Sequence, residues 1–174
     1  MRRLVNRESV LMNVIVLGIL TTLAGVSLAE AEKRFMCHNK IDLELTNVAV
    51  ASYSQYVHKG RTFDDDTTRQ SVLKAIDGLR FEGAASRLDF GFDIVEFELF
   101  DTKNGARASN KDVKKVAVFV TDGFSTRGVE FTRASADTLT REGVNLFSVG
   151  ISDHVDKDEL DELASKPRAS HQLL

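Results

Sequence analysis

Residues Val116 to Gly123 read VAVFVTDG, a run of β-branched and aromatic side chains that stops abruptly on a carboxylate and a glycine. A strand that is apolar at every position, rather than at alternate positions, has both faces covered, and this is the mark of a parallel sheet layered between helices. Open sheets of that kind collect ligands beyond the carboxyl ends of their strands. Asp122 stands at such an end, so one segment both restricts the fold and nominates a ligand-facing position.

The rest of the pattern agrees. Val48 to Tyr53 (VAVASY) is a second apolar run of strand length, and the partly alternating Tyr56 to Phe63 suits an edge strand followed by an acidic, solvated turn at Asp64, Asp65 and Asp66. A helix is expected from Thr67, where Thr67 and Gln70 have capping-box spacing, to near Gly83, with Val72, Leu73, Ile76 and Leu79 facing a sheet. A second, more deeply buried helix is expected where Leu88, Phe92, Val95 and Leu99 repeat at helical spacing, with Phe90, Ile94 and Phe97 widening the stripe. Residues 102–112 read as loop.

Gly128 to Glu142 reads as an amphipathic helix with Phe131, Ala134 and Leu139 inward and Gly143 as its stop. Asn145 to Gly150 is the next strand. Asp156 and Glu159 frame the cap of a short helix through Ser165, with Leu160, Leu163 and Ala164 inside and Pro167 ending it. Strands alternating with helices predict an α/β fold, a doubly wound and mostly parallel sheet with helices on both faces.

Composition narrows the function classes. The 174 residues, 43% hydrophobic and 28% charged, suit one domain with a real core. A net charge of -3 gives no basic face for phosphates, so nucleic acid is not an expected partner. Arg2, Arg3 and Arg7 precede a stretch without charge between Ser9 and Ala29 that contains VIVLGIL, and Ala29 and Ala31 supply the small residues of a cleavage site. The organisation expected is a signal peptide over 1–31, a polar lead-in over 32–40 and a single domain over 41–174. Two alternatives stand beside cleavage: the apolar run is long enough for an uncleaved signal anchor, and a short apolar run also suits a buried strand. Cys37 is the one cysteine, so it is either inert or open to pairing with another chain.

Catalytic motifs are wanting. Asp89-Phe90-Gly91 imitates a kinase triplet without the other kinase segments and falls inside a helical pattern. His38, His58, His154 and His171 lack metal-ligand spacing, Gly123-Phe124-Ser125 lacks the second glycine of a nucleophile elbow, and no phosphate loop is present. An enzyme is the least supported class.

From Ile41 to Pro167 the chain resembles a von Willebrand factor type A domain of the kind repeated in type VI collagens, matrilins and cochlin. VAVASYSQYV (Val48 to Val57), SVLKAIDGLRFEG (Ser71 to Gly83), VAVFVTDGFS (Val116 to Ser125), REGVNLFSVGI (Arg141 to Ile151) and ELDELASKP (Glu159 to Pro167) carry the resemblance. It implies a metal-ion-dependent adhesion site, in which an Asp-x-Ser-x-Ser loop, a hydroxyl from a second loop and the Asp of a Thr-Asp-Gly hold Mg²⁺ and a partner's carboxylate completes the shell. Here Thr121-Asp122-Gly123 is present, and Ser86 stands where the second hydroxyl is expected. Asp-x-Ser-x-Ser occurs nowhere, and the family's central first strand has no counterpart after residue 31. Either VIVLGIL is retained and fills that place, or the domain is incomplete. Asp122 and Ser86 supply two oxygens where Mg²⁺ wants about six; their plainer roles would be a tight turn ahead of Gly123 and a helix N-cap.

The resemblance implies a secreted, non-enzymatic module binding collagen or other extracellular matrix proteins through Asp122, Gly123 and Ser86. The alternatives are an assembly subunit forming homo-oligomers, with Cys37 as an intermolecular disulfide, and a membrane form that keeps its signal.

Overall fold

The computed structural model describes residues 12–18, 46–66, 68–79, 85–107, 109–121, 125–151 and 155–173. Its sheet is built from β1 (Met12–Gly18), β2 (Thr46–Tyr53), β3 (Val57–Arg61), β4 (Lys114–Thr121), β5 (Val144–Gly150) and β6 (Gln172–Leu173). The order is β3-β2-β1-β4-β5-β6, with β3 antiparallel at one edge and every other pairing parallel. The helices are α1 (Arg69–Asp77), α2 (Leu88–Ile94), α3 (Val129–Arg141) and α4 (Lys157–Leu163).

The apolar runs divide their side chains between two layers. Val48 and Val50 of β2 and Val116, Val118 and Val120 of β4 join Val72 and Ile76 of α1 on one face. Ala49, Ala51 and Tyr53 alternate with Ala117 and Phe119 on the other, beneath Leu88, Phe92, Leu139, Leu160 and Leu163. Both faces are dry, which is why these strands lack polar alternation. Small residues sit where helices approach closely: a Cβ on Gly91 of α2 would meet the Tyr53 ring at 3.2 Å. Phe92 stacks on Phe119 beside it, with ring centroids 4.2 Å apart.

The central place that the resemblance leaves open is held by β1, paired along its whole length with β2 and with β4. Val14 to Gly18 of VIVLGIL form part of this strand. A chain beginning at Glu32 would lack the strand that joins β2 to β4, so cleavage and this sheet are exclusive in one molecule. No described helix is long and apolar enough to cross a membrane.

Several local expectations need correction. The first helix is capped by Thr68, whose side chain accepts from the Ser71 amide in a capping box closed by Ser71, and it ends at Gly78 rather than near Gly83. Leu73 is exposed, because Val72 and Ile76 already define the buried stripe. Leu88, Phe92, Val95 and Leu99 are buried as expected, and the helix runs on past Ile94 into a wider π-type turn over Val95–Leu99. Phe97 lies on the opposite side of that turn and is 68% exposed. In α3 the buried stripe is Thr132, Ala136 and Leu139, whereas Phe131 and Ala134 face outward. Phe131 is one position off the stripe, and the Arg127 guanidinium covers its ring at 4.1 Å. Gly143 follows α3 with φ +80°, a left-handed stop that a side chain would strain.

Candidate functional site

The carboxyl ends of β2, β1, β4 and β5 point the same way, and described residues beyond β2 and β4 are stitched to the approach to α2. Beyond β2, the Ser54 hydroxyl donates to the Ala85 carbonyl oxygen at 3.1 Å. The Ser86 N–H donates to Thr126 Oγ1 at 2.8 Å, and the Thr126 N–H donates to the Ser86 carbonyl oxygen at 2.9 Å. This reciprocal pair fixes the approach to α2 against the exit from β4. Ser86 is thus a bridge between two loops and not a helix cap: α2 begins behind Arg87, without a side-chain cap.

Both bridging residues are followed by arginine, and the bridge lays these arginines together on one carboxylate. Arg87 Nε and Nη2 donate to Asp89 Oδ1 and Oδ2 at 2.8 and 2.7 Å, and Arg127 Nη1 reaches Oδ2 at 3.3 Å. Arg87 and Arg127 also lie over the Phe90 and Phe131 rings, at 3.6 and 4.1 Å. Burial opposes ionisation of Asp89, but the two guanidiniums more than offset it and hold the carboxyl below its ordinary value of 3.8. The kinase-like triplet is therefore an ion-paired first turn of α2.

On the other flank is a carboxylate of opposite character. Glu159 is 5% exposed; its Oε2 accepts from the Ser125 N–H at 2.7 Å, and the Thr132 hydroxyl lies 3.4 Å from Oε1. Among the described residues it has no ion-pair partner. Burial pushes its carboxyl above the ordinary 4.5, the bonds from Ser125 and Thr132 oppose that rise, and Asp156 adds to it. Glu159 does not complete a cap: Asp156 alone serves the Asp158 and Glu159 amides. Beside it, among the described residues, the Ser125 hydroxyl oxygen is buried without a hydrogen-bond partner.

Of the residues nominated from sequence, Ser86 is placed as described, and Asp122, Gly123 and Cys37 lie outside the described residues. Thr121, the last residue of β4, is buried and its carbonyl oxygen accepts from the Ile151 N–H at 3.0 Å. For Mg²⁺ the donor set falls short. The described residues contain no group of three or more Asp, Glu, His or Cys able to hold a metal ion, and the charges set next to Ser86 and Thr126 are two guanidiniums. With Asp-x-Ser-x-Ser absent from the sequence, the described residues do not fit a hard six-oxygen site.

Sequence reasoning missed Glu159, Ser125, Thr126 and the two arginines as members of this arrangement. A carboxylate inside an otherwise apolar helical stripe was the available signal for Glu159, but it also fits a cap. Nothing local marks Thr126 as Ser86's partner, since the two are forty positions apart.

The comparisons agree with this architecture. The chain matches the von Willebrand factor type A domain over residues 28–173, a span that starts after β1. It is 30% identical over 122 residues to the transmembrane cell adhesion receptor mua-3 of Caenorhabditis elegans, covering 70% of this chain and 3% of that protein. Matrilin-1 of Gallus gallus is 26% identical over 126 residues, covering 72% of this chain and 25% of the relative. The collagen alpha-4(VI) chain of Mus musculus is 32% identical over 97 residues, 56% of this chain and 4% of that one. The chain thus spans a quarter or less of each of these relatives. Among solved structures, proximal thread matrix protein 1 from the mussel byssus with a zinc-occupied MIDAS motif has a TM-score of 0.71 at 20% identity, covering 95% of this chain and 44% of that one. Manganese-loaded Plasmodium vivax TRAP protein has a TM-score of 0.75 at 11% identity, over 95% of this chain and 69% of that one. Fold, sheet order and the span of the match together make this chain a member of the von Willebrand factor type A domain family.

Proposed function

We propose that this chain is a secreted, non-enzymatic binding module of the extracellular matrix, engaging collagen or another matrix protein through the surface over Ser86, Asp122 and Gly123. Its relatives include matrilins, a collagen VI chain and a cell adhesion receptor, which supports a matrix or adhesion role. The observation that carries the placement is the Ser86–Thr126 bridge, which unites the loops at the ligand-collecting end of the sheet. The donor set favours binding that needs no divalent ion.

Solid-phase or surface-plasmon binding to immobilised collagens and other matrix proteins tests this, with and without EDTA and with Asp122→Ala. Binding that Asp122→Ala weakens and EDTA leaves alone is the expected result. Loss with both would restore the metal form, and no binding to any matrix protein would overturn the reading. In that event a dimer on non-reducing gels that collapses on reduction would favour the assembly subunit linked through Cys37. Secretion is tested by the N-terminal peptide of the mature protein. A start at Glu32 would supply the cleaved signal and leave a domain without β1; an intact N-terminus would favour the signal-anchored form or a retained strand.

A further inference from the structure

Glu159 is expensive for the protein. A carboxylate removed from water without a cation costs several kcal/mol of solvation, which hydrogen bonds return only in part. The residue nonetheless sits on a firmly seated helix. Leu160 and Leu163 of α4 are almost wholly buried, the Ser148 hydroxyl donates to the Leu160 carbonyl oxygen at 3.0 Å, and Ser165 exchanges bonds with Leu146 of β5 at 2.9 and 3.0 Å. From that base Glu159 reaches to the Ser125 N–H on the loop leaving β4. The next residue, Thr126, exchanges two bonds with Ser86, and Ala85 before it accepts from Ser54 beyond β2. A continuous series of hydrogen bonds and single peptide steps therefore crosses the head of the sheet from α4 to β2.

We propose that Glu159 is the positioning residue of the ligand surface, anchoring a metal-independent belt that holds Ser86 and the β4 exit in one arrangement. The carboxylate is suited to this because an ionised acceptor bonds an amide roughly twice as strongly as a neutral one. Fixing the loops in advance removes part of the ordering cost of binding a partner. Where the described residues lack the donors for a divalent ion, α4 supplies the cross-link instead. The inference rests on the proposed binding surface for its purpose, but the belt itself can be tested without any partner.

The experiment is amide hydrogen exchange followed by NMR on the full chain, comparing wild type with Glu159→Ala, Glu159→Gln and Thr126→Val, each with EDTA and with Mg²⁺. Glu159→Ala is expected to speed exchange at Ser125, Thr126 and Ser86 by about tenfold or more, while β4 and β5 amides stay protected. Glu159→Gln keeps an acceptor oxygen in the same volume and should recover most of the protection. Thr126→Val, at an exposed position, should release the Ser86 amide and leave Ser125 protected. EDTA and Mg²⁺ should change none of these rates. Protection unaltered in Glu159→Ala would overturn the proposal, as would protection that appears with Mg²⁺ and vanishes with EDTA. If Glu159→Ala does not fold, the other two variants still decide: an unprotected Ser125 in Glu159→Gln, or a protected Ser86 in Thr126→Val, sinks the belt. Should protection behave as expected while no matrix protein binds, the belt stands and the binding function falls.

Discussion

Two carboxylates are buried on either side of the loop that leaves β4, and they are stabilised in opposite ways. Asp89 accepts from two arginines and is held ionised below its ordinary value; Glu159 accepts from an amide and a hydroxyl, and burial drives it upward. Asp89 joins residues already close in sequence or bridged by Ser86 and Thr126. Glu159 joins a helix to a loop thirty-four positions away. The pair shows that an anion is needed where two guanidiniums would otherwise repel, whereas a backbone amide needs only a strong acceptor.

Removing the ion-paired member should have the largest effect. Asp89→Ala leaves two guanidiniums facing each other without their anion, and breaking a buried pair from one side is strongly destabilising. Arg127 is half-exposed, with 46% of its side-chain surface accessible, so solvent screens part of the loss. The expected cost is about 2–3 kcal/mol in urea denaturation. A change under about 0.5 kcal/mol would mean the cluster is decorative, as many surface pairs are.

Glu159→Ala strands the Ser125 amide and should cost about 1–3 kcal/mol. Glu159→Gln keeps an acceptor and discards the buried charge, so at neutral pH it should be neutral or up to about 1 kcal/mol more stable than wild type. If Gln proves as costly as Ala, the charge itself is required, and the contrast between the two sites dissolves.

Acid titration of stability sharpens the same contrast through its sign. The folded value of Asp89 is lowered, so its contribution is present above 3.8 and is lost as pH falls through the folded value. That of Glu159 is raised, so its cost is absent below 4.5 and develops as pH rises through the folded value. The advantage of Glu159→Gln over wild type should therefore shrink on acidification, while the deficit of Asp89→Asn should shrink only at still lower pH. Denaturation midpoints for the three chains between pH 3 and 7 would show two steps in that order; coincident steps would refute the assignment.

Much of the fold could be read from pattern because it rests on periodicity. VAVFVTDG and VAVASY are strands, Leu88 to Leu99 is buried at helical spacing, and the edge position of β3 follows its weaker alternation. Misplacements came where sequence neighbours compete for one buried stripe, as Phe131 does with Thr132 and Phe97 with Val95. The N-terminal run is ambiguous for a physical reason: a short, mostly apolar run looks alike in a signal and in a central strand, and here its Val14 to Gly18 pair with β2 and β4. At the site, Ser86 was nominated through its loop, whereas the Thr126 contact joins distant segments and leaves no local trace, and the one trace of Glu159, a carboxylate in an apolar stripe, also fits a cap.

The smallest effect concerns Ser125, whose two polar groups have different fates. Its amide is bonded to Glu159, while its hydroxyl oxygen is buried without a partner among the described residues. An unbonded buried hydroxyl contributes desolvation cost and little else, so Ser125→Ala should change stability by no more than about 0.5 kcal/mol, and in the stabilising direction. The same substitution in Glu159→Gln should behave alike, because the amide bond and not the hydroxyl links the sites. A loss above about 1 kcal/mol in wild type that disappears in Glu159→Gln would show instead that the hydroxyl also serves the carboxylate. Glu159 would then hold Ser125 by two groups, and its ability to dispense with a cation would rest on the side chain as much as on the backbone.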